Sequence, residues 1–83
     1  MKIHFTGIGG AGMAPLAELS SLRGDQVSGS DLSGNAKCTH LTSLGAAVTV
    51  GHASENVPDD CQLLVYSSAV APDNCERQRA AAL

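Results

Sequence analysis

The sequence has almost no aromatic residues: it contains no tryptophan, one tyrosine and one phenylalanine among 83 residues. Any core must therefore be built from aliphatic side chains and alanine, and 43% of the residues are hydrophobic by type. A chain of this length can bury only one small core. We therefore expect a single domain over residues 1–83.

Positive charge is also scarce. Five lysine and arginine residues stand against eight aspartate and glutamate residues, which gives a net charge of −3. The five cations are scattered along the chain, whereas binding to nucleic acid uses clustered cations that neutralise phosphates. The composition therefore argues against a nucleic-acid partner.

Long apolar runs and paired cysteines are missing as well. No run approaches the roughly 20 apolar residues of a transmembrane helix, and the N-terminus has no export signal. The three cysteines are far apart and form no C-x-x-C pair, so neither a disulfide framework nor a zinc site is indicated. We expect a cytoplasmic protein with reduced thiols, no metal site and no membrane contact.

The sequence does contain a regular alternation of strand and helix patterns. Strands are predicted at Lys2–Thr6, Gln26–Ser30, Ala47–Val50 and Gln62–Tyr66. Helices are predicted at Ala11–Leu22, at Ala36–Leu44 and after Asp73. Such alternation with short links predicts an α/β fold, here a Rossmann-like parallel sheet of about four strands in the order 3-2-1-4, with helices on both faces.

Three details of these elements are specific enough to test. The spacing of Met13, Leu16, Leu19 and Leu22 predicts the buried face of the first helix. The run Gln62–Tyr66 is the most hydrophobic in the chain and predicts a central strand buried on both faces. The last helix is expected to begin with a capping box from Asp73 to Glu76, with Asn74 as the alternative cap.

A glycine-rich stretch follows the first strand. Residues Gly7-Ile8-Gly9-Gly10-Ala11-Gly12 match G-x-G-x-x-G between a predicted strand and a predicted helix, which is typical of nucleotide-binding folds. The first glycine permits the sharp turn, the second lets a diphosphate approach the backbone, and the third lets the helix pack closely. The stretch therefore predicts a diphosphate site at the start of the helix, although a tight turn alone remains the alternative.

Other candidate residues follow the remaining strands. Asp31 ends the second strand, where a carboxylate can accept hydrogen bonds from a ribose or a base, or can simply cap a turn. Ser67 and Ser68 follow the fourth strand and would lie beside the glycine loop, unless they are ordinary polar residues. His52 could reach a nucleoside or could be a surface histidine, and His4 within the first strand is interpreted as a core histidine.

Longer blocks of the sequence carry a resemblance. The segments "IHFTGIGGAGMAPLAEL", "VSGSD", "LGAAVTVGH" and "NVPDDCQLLVYSSAVAPDN" resemble, in this order and over nearly the whole chain, the N-terminal domain of the Mur ligases. Within that family they most resemble the branch that adds L-alanine, and less closely the branch that attaches recycled murein tripeptide.

The resemblance implies a three-domain, ATP-dependent ligase of peptidoglycan biosynthesis, and thus a role in cell wall biogenesis, cell shape and cell division. It implies that the first domain binds UDP-N-acetylmuramate, the central domain binds ATP and magnesium, and the last helps to bind the amino acid. It further implies that the diphosphate site is lined by Gly9, Gly10, Ala11, Gly12 and Met13. On the same basis Asp31 and His52 would meet the uridine, and Ser67 and Ser68 would border the diphosphate or sugar.

The sequence departs from such a whole ligase because it has no G-x-x-x-x-G-K-[ST] phosphate loop. We therefore expect no catalytic residue, no bound cofactor and no ligase activity in this chain alone. The helical pattern at Ala80–Leu83 has no stop signal, which predicts that the domain is cut from a longer protein.

Two other functions remain open at this point. The same glycine loop and acidic residue occur in the NAD(P)-binding half of an oxidoreductase, but that interpretation leaves "GSDLSG" and "SSAVAPDN" unexplained. A small regulatory nucleotide-sensing domain is the third possibility, and it would require a naturally complete chain.

Overall fold

The computed structural model describes residues 1–83 as four strands and three α-helices. The strands are β1 (Lys2–Thr6), β2 (Gln26–Asp31), β3 (Ala47–Val50) and β4 (Leu63–Tyr66). The helices are α1 (Met13–Leu22), α2 (Ala36–Ser43) and α3 (Cys75–Ala82), and a short 3₁₀ turn spans Ser54–Asn56. All strand pairs are parallel and the order is β3-β2-β1-β4, so the predicted fold is confirmed.

The two faces of the sheet are built from different chemistry. Because side chains alternate along a strand, Ile3 and Phe5 of β1 point to one face and His4 and Thr6 to the other. The first face carries the apolar core, to which α1 and α2 contribute; its members are Ile3, Phe5, Ile8, Met13, Ala14, Ala17, Val27, Cys38, Leu41 and Ala46. The second face is polar and is covered by α3, so helices lie on both faces as expected.

Helix α1 packs through its small residues and not through its leucines. Met13, Ala14, Ala17 and Ser20 are buried, whereas Leu16, Leu19 and Leu22 are 46 to 68% exposed. Of the four residues predicted to form the buried face, only Met13 is buried, and the prediction was wrong for the three leucines. Alanine is favoured on the inner side because it lets the helix axis approach the sheet, where leucine would force the two apart.

Strand β4 lies at the edge of the sheet and not at its centre. It pairs with β1 alone, and Leu63 and Tyr66 at its two ends are exposed. The prediction of a central strand buried on both faces was therefore wrong: within residues 1–83 no strand pairs with the second edge of β4, and its four residues are half-buried or exposed.

Turns and caps mostly follow the sequence signals. Gly24 and Gly45 end the first two helices with φ of +97° and +99°, in the left-handed region that glycine adopts at helix ends. Helix α3 is capped by Asn74, whose side chain accepts a hydrogen bond from the Glu76 amide at 2.9 Å. The alternative cap is thus confirmed, and the expected Asp73 capping box was wrong.

No helix combines the length and apolar character needed to cross a membrane.

The packing of α1 predicts opposite responses at two neighbouring positions. Ala17 is fully buried, so Ala17→Leu should overfill the core and lower the free energy of unfolding by about 1–3 kcal/mol. Leu16→Ala, on the exposed side of the same turn, should change it by less than about 0.5 kcal/mol. Urea denaturation measures both, and a large loss for Leu16→Ala with none for Ala17→Leu would show that the leucine side is the buried one.

Candidate functional site

The glycine loop is held against the end of β2 by its own backbone. The amides of Gly7 and Ile8 both donate to the carbonyl of Ser30, at 2.8 and 2.9 Å. Gly7 has φ of +84°, a conformation that other residues rarely adopt, so the expected role of the first glycine in the turn is confirmed.

Two amides of the loop are left without an acceptor. The amide of Gly10 donates to Gly7, and those of Met13 and Ala14 donate to Gly10, whereas the amides of Ala11 and Gly12 donate to no group of the chain. Both residues are exposed and directly precede α1. Consecutive unpaired amides at a helix start, together with the positive end of the helix dipole, can bind an anion.

Gly9 is buried and faces the interior of the protein. Its amide donates to Asp31 Oδ2 at 2.8 Å. A Cβ added at Gly9 would lie 2.9 Å from that oxygen and 3.0 Å from Cys38 Sγ. The structure thus favours glycine here, because a Cβ would have to displace the Asp31 carboxylate and the Cys38 thiol.

Gly12 has the opposite environment. A Cβ added there would meet no atom within 4 Å, so the expectation that the third glycine permits close helix packing was wrong for this chain. A missing Cβ is needed instead at Gly29 of β2, where a Cβ would lie 2.6 Å from Ile8 Cδ1 and 2.7 Å from the Phe5 carbonyl oxygen, so that glycine there lets Ile8 of the loop pack against the sheet.

A cleft of about 340 Å³ opens beside this loop, where the carboxyl ends of the strands meet. Five of its lining residues come from the predicted set or the glycine stretch, and the rest come from the segments that follow β2 and β4. The lining comprises Gly7, Gly10, Asp31, Leu32, His52, Ser67, Ala69, Val70, Ala71 and Asn74. The structure therefore brings the glycine loop, Asp31, His52 and Ser67 together at the place where ligands bind in open α/β sheets.

The other predicted site residues do not line this cleft. Gly9 is buried against Asp31 and Cys38, and Met13 is buried in the apolar core. Ala11 and Gly12 are exposed near the rim, and Ser68 is exposed after β4.

Asp31 keeps unused acceptor capacity at the rim. Its Oδ2 accepts from the Gly9 amide, and its Oδ1 accepts from the Ser33 amide at 3.2 Å. An ionised carboxylate can accept about four hydrogen bonds, and Asp31 is only partly buried. It can therefore accept further hydrogen bonds from a ligand in the cleft.

A buried carboxylate that the sequence analysis missed lies beneath the cleft. Glu76 of α3 is fully buried, and its Oε1 accepts from His4 Nε2 (2.7 Å), Thr6 Oγ1 (2.8 Å) and Ser30 Oγ (2.7 Å). Its Oε2 accepts from the Ala53 amide (3.1 Å) and Asn56 Nδ2 (2.9 Å). We call Glu76 and these five donor residues the Glu76 network.

Hydrogen bonding, and not burial, determines the charge of this group. Burial alone would raise the pKa of Glu76, but donation by Asn56, Ser30, His4 and the Ala53 amide lowers that pKa from 4.5 to about 2. The carboxylate is therefore ionised at neutral pH and acts only as an acceptor.

His4 and His52 both join this polar face. His4 is fully buried, with Nδ1 placed 2.8 Å from Ser28 Oγ, so its interpretation as a core histidine is confirmed. His52 Nδ1 lies 2.7 Å from Ser30 Oγ and 3.8 Å from Glu76 Oε2. His52 is thus fixed by the chain at one nitrogen while its ring borders the cleft.

One sequence signal could have indicated Glu76. The alternate positions of two strands that are mostly buried carry His4, Thr6, Ser28 and Ser30, and buried polar groups need partners. The sequence does not reveal which residue supplies the partner, because Glu76 lies 46 to 72 residues away.

The ionised state of Glu76 predicts acid sensitivity. Its pKa is about 2 in the folded protein and near 4.5 in the unfolded chain, so its contribution is complete above pH 4.5 and is lost as the pH falls towards 2. Over that range the free energy of unfolding should fall by about 3 kcal/mol through this group. Urea denaturation at several pH values measures the slope.

Variants separate Glu76 from the other acids. Glu76→Gln should cost about 3 kcal/mol or more at neutral pH and remove this part of the slope, whereas Glu55→Gln at an exposed site should preserve both. If Glu76→Gln does not fold, the wild-type curve still decides, because a flat profile between pH 5 and 3 contradicts the assignment.

The glycine loop predicts a second contrast. Gly9→Ala should lower the free energy of unfolding by about 1–3 kcal/mol, because its Cβ collides with Asp31 and Cys38. Gly12→Ala has open space and should cost less than about 1 kcal/mol. Thermal denaturation compares the two variants, and equal losses would contradict the assigned environments.

Comparison with known proteins gives a consistent result. Residues 2–83 match the family model described as "Mur ligase family, catalytic domain". A UDP-N-acetylmuramate--L-alanine ligase from Streptomyces avermitilis is 48% identical over 80 residues, covering 96% of this chain and 17% of that protein. The enzyme of the same name from a Sulfurihydrogenibium species is 49% identical over 79 residues, covering 95% of this chain and 17% of that protein.

Solved structures show the same relationship. A UDP-N-acetylmuramate-alanine ligase from Thermotoga maritima superimposes with a TM-score of 0.92 at 38% identity, covering 99% of this chain and 19% of that one. A murein peptide ligase from Psychrobacter arcticus gives a TM-score of 0.86 at 29% identity, covering 100% of this chain and 18% of that one. The chain thus spans less than a fifth of the length of these relatives, and it belongs to the Mur ligase family.

Proposed function

We propose that this chain is the UDP-N-acetylmuramate-binding domain of an ATP-dependent ligase that adds L-alanine to that nucleotide sugar in peptidoglycan synthesis. The observation that carries the proposal is the cleft at the carboxyl ends of β1, β2 and β4, which has unpaired amides near its rim and hydrogen-bond acceptors on its lining.

The distribution of donors and acceptors fits a nucleoside diphosphate. The amides of Ala11 and Gly12 supply donors and a favourable dipole for the diphosphate. The carboxylate of Asp31 supplies acceptors for ribose hydroxyl or base N–H groups. Ser67 lies on the lining and Ser68 beside it, where their hydroxyls can donate to or accept from the sugar and diphosphate.

The relatives support the identity of the substrate and of the amino acid. The similar proteins named above are called UDP-N-acetylmuramate--L-alanine ligases at 48 and 49% identity. The murein peptide ligase is less similar at 29%, so attachment of L-alanine is preferred to attachment of a murein peptide.

The remaining steps belong to the rest of the proposed ligase. This chain has no G-x-x-x-x-G-K-[ST] loop, and its His, Cys, Asp and Glu residues form no group of three that could hold a metal ion. We assign ATP, magnesium and the amino acid to a central and a C-terminal domain outside this chain. The role of residues 1–83 is then to hold and orient the nucleotide sugar in the cytoplasm, and the associated processes are cell wall biogenesis, cell shape and cell division.

The test is an NMR titration of the isotopically labelled chain with UDP-N-acetylmuramate and, separately, with NAD. Amide shifts at Gly10, Ala11, Gly12 and Ser67 with the nucleotide sugar alone are the expected result. Shifts at these positions with NAD alone would favour a dinucleotide site and overturn the proposal. No shift with either ligand in a folded chain would contradict the proposal that residues 1–83 bind the nucleotide sugar.

Asp31→Asn tests the acceptor side of the cleft. The amide of asparagine can preserve the bond from Gly9 but loses charge and acceptor sites, so UDP-N-acetylmuramate should bind about tenfold more weakly, the loss of one hydrogen bond to a charged group. Asp60→Asn is the matched control, since Asp60 pairs with Lys2 at the opposite end of the sheet. Equal affinity of the Asp31→Asn variant and the wild type would remove Asp31 from the site.

A further inference from the structure

The hydroxyl of Ser30 connects the buried carboxylate to the cleft. Ser30 is fully buried between Glu76 Oε1 and His52 Nδ1, at 2.7 Å from each. A serine hydroxyl has a single proton and can donate to only one of these groups. The direction of its hydrogen bond therefore determines which His52 nitrogen carries a proton.

Proton counting settles that direction. Glu76 is ionised and can only accept, so the Ser30 proton must point to Oε1. A Ser30 hydroxyl that turned towards His52 would leave two oxygen atoms 2.7 Å apart with no proton between them. Ser30 Oγ consequently accepts from His52, and the proton of His52 lies on Nδ1.

The second nitrogen of His52 faces different surroundings. Nε2 makes no hydrogen bond within the chain, and His52 contributes to the cleft lining with its side chain 16% exposed. In a neutral ring with its proton on Nδ1, Nε2 presents a lone pair. This lone pair attracts a hydrogen-bond donor and repels a phosphate oxygen.

We propose that Glu76 and Ser30 are positioning residues that hold His52 in the Nδ1–H tautomer, so that Nε2 accepts a hydrogen bond from the nucleoside part of the ligand and excludes the diphosphate. The second half of this statement rests on the proposed nucleotide-sugar function, whereas the tautomer itself does not. The ligand then has one orientation: its diphosphate lies at Ala11 and Gly12, and a base N–H or ribose hydroxyl lies at His52.

The first measurement needs no ligand. Long-range ¹H–¹⁵N spectra of the labelled chain at about pH 8, where an ordinary histidine is neutral, distinguish a protonated from an unprotonated ring nitrogen. His52 should carry its proton on Nδ1, while His4, which donates to Glu76 through Nε2, should show protonated Nε2 in the same spectrum. A proton on His52 Nε2, in a neutral or a charged ring, would overturn the proposal.

Two serine variants on one strand provide the matched comparison. Ser30→Ala removes the acceptor of His52 and should shift the ring towards the Nε2–H tautomer. Ser28→Ala makes the same change two residues earlier, against His4, and should leave the His52 signals unchanged. Equal effects of the two variants on the His52 nitrogens would indicate a general loss of packing on this face and would contradict the proposed role of Ser30. If Ser30→Ala does not fold, the wild-type spectrum decides.

The ligand measurement uses UDP and inorganic pyrophosphate as probes. UDP should move the His52 Nε2 resonance in the direction of an accepted hydrogen bond without protonating it. Pyrophosphate should affect the Ala11 and Gly12 amides and leave Nε2 unchanged. Protonation of Nε2 by pyrophosphate would overturn the assigned orientation, whereas UDP that shifts no residue of the chain would refute the proposed function and leave the tautomer result standing.

Discussion

The polar half of this domain depends on one buried carboxylate. Glu76 accepts hydrogen bonds from β1, from β2 and from the loop after β3, and so joins α3 to three other segments. The dependence is mutual, because the hydroxyls and imidazole inside the sheet would be unsatisfied without the carboxylate, and the carboxylate would be unsolvated without them.

The opposite face of the sheet is packed with apolar side chains, and the cleft lies beside the loop where the two faces meet. Between α1, α2 and the sheet the core is apolar and closely packed, with alanine and glycine allowing the short approach distances. The glycine loop is the point where the two faces meet, since Ile8 belongs to the apolar core while Gly7 and Gly10 line the cleft above the Glu76 network. The residues of the glycine loop therefore take part both in the apolar packing of one face and in the polar cleft of the other.

The sequence allowed the strands, their order and the glycine turn to be predicted, because each depends on local periodicity or on a glycine conformation. It did not reveal which side of α1 is buried, since Leu16 and Ala17 are adjacent and the choice depends on how closely the helix approaches β2. Hydrophobicity also misplaced β4, whose apolar run says nothing about the number of neighbours it has. The roles of Glu76 and Ser30 could not be predicted for a related reason, because each depends on a hydrogen-bond partner that is distant in sequence. The resemblance to a family, by contrast, uses blocks from nearly the whole chain at once and needs no knowledge of which residues touch. The family was therefore predicted correctly.

One carboxylate of the cleft has a further consequence. Asp31 holds the Gly9 amide with one oxygen and Ser33 with the other, while it also borders the cleft. A donor that bonded to this carboxylate would therefore share its acceptor with the amide that fixes the glycine loop, and a movement of Gly9 would change the same hydrogen bond. By thermodynamic linkage, a contact at Asp31 and a contact at the glycine loop would then change each other's binding free energy. The affinities of separate ligand fragments need not combine additively in that case. Asp31 therefore links the glycine loop to the wall of the cleft, and the two are not independent surfaces.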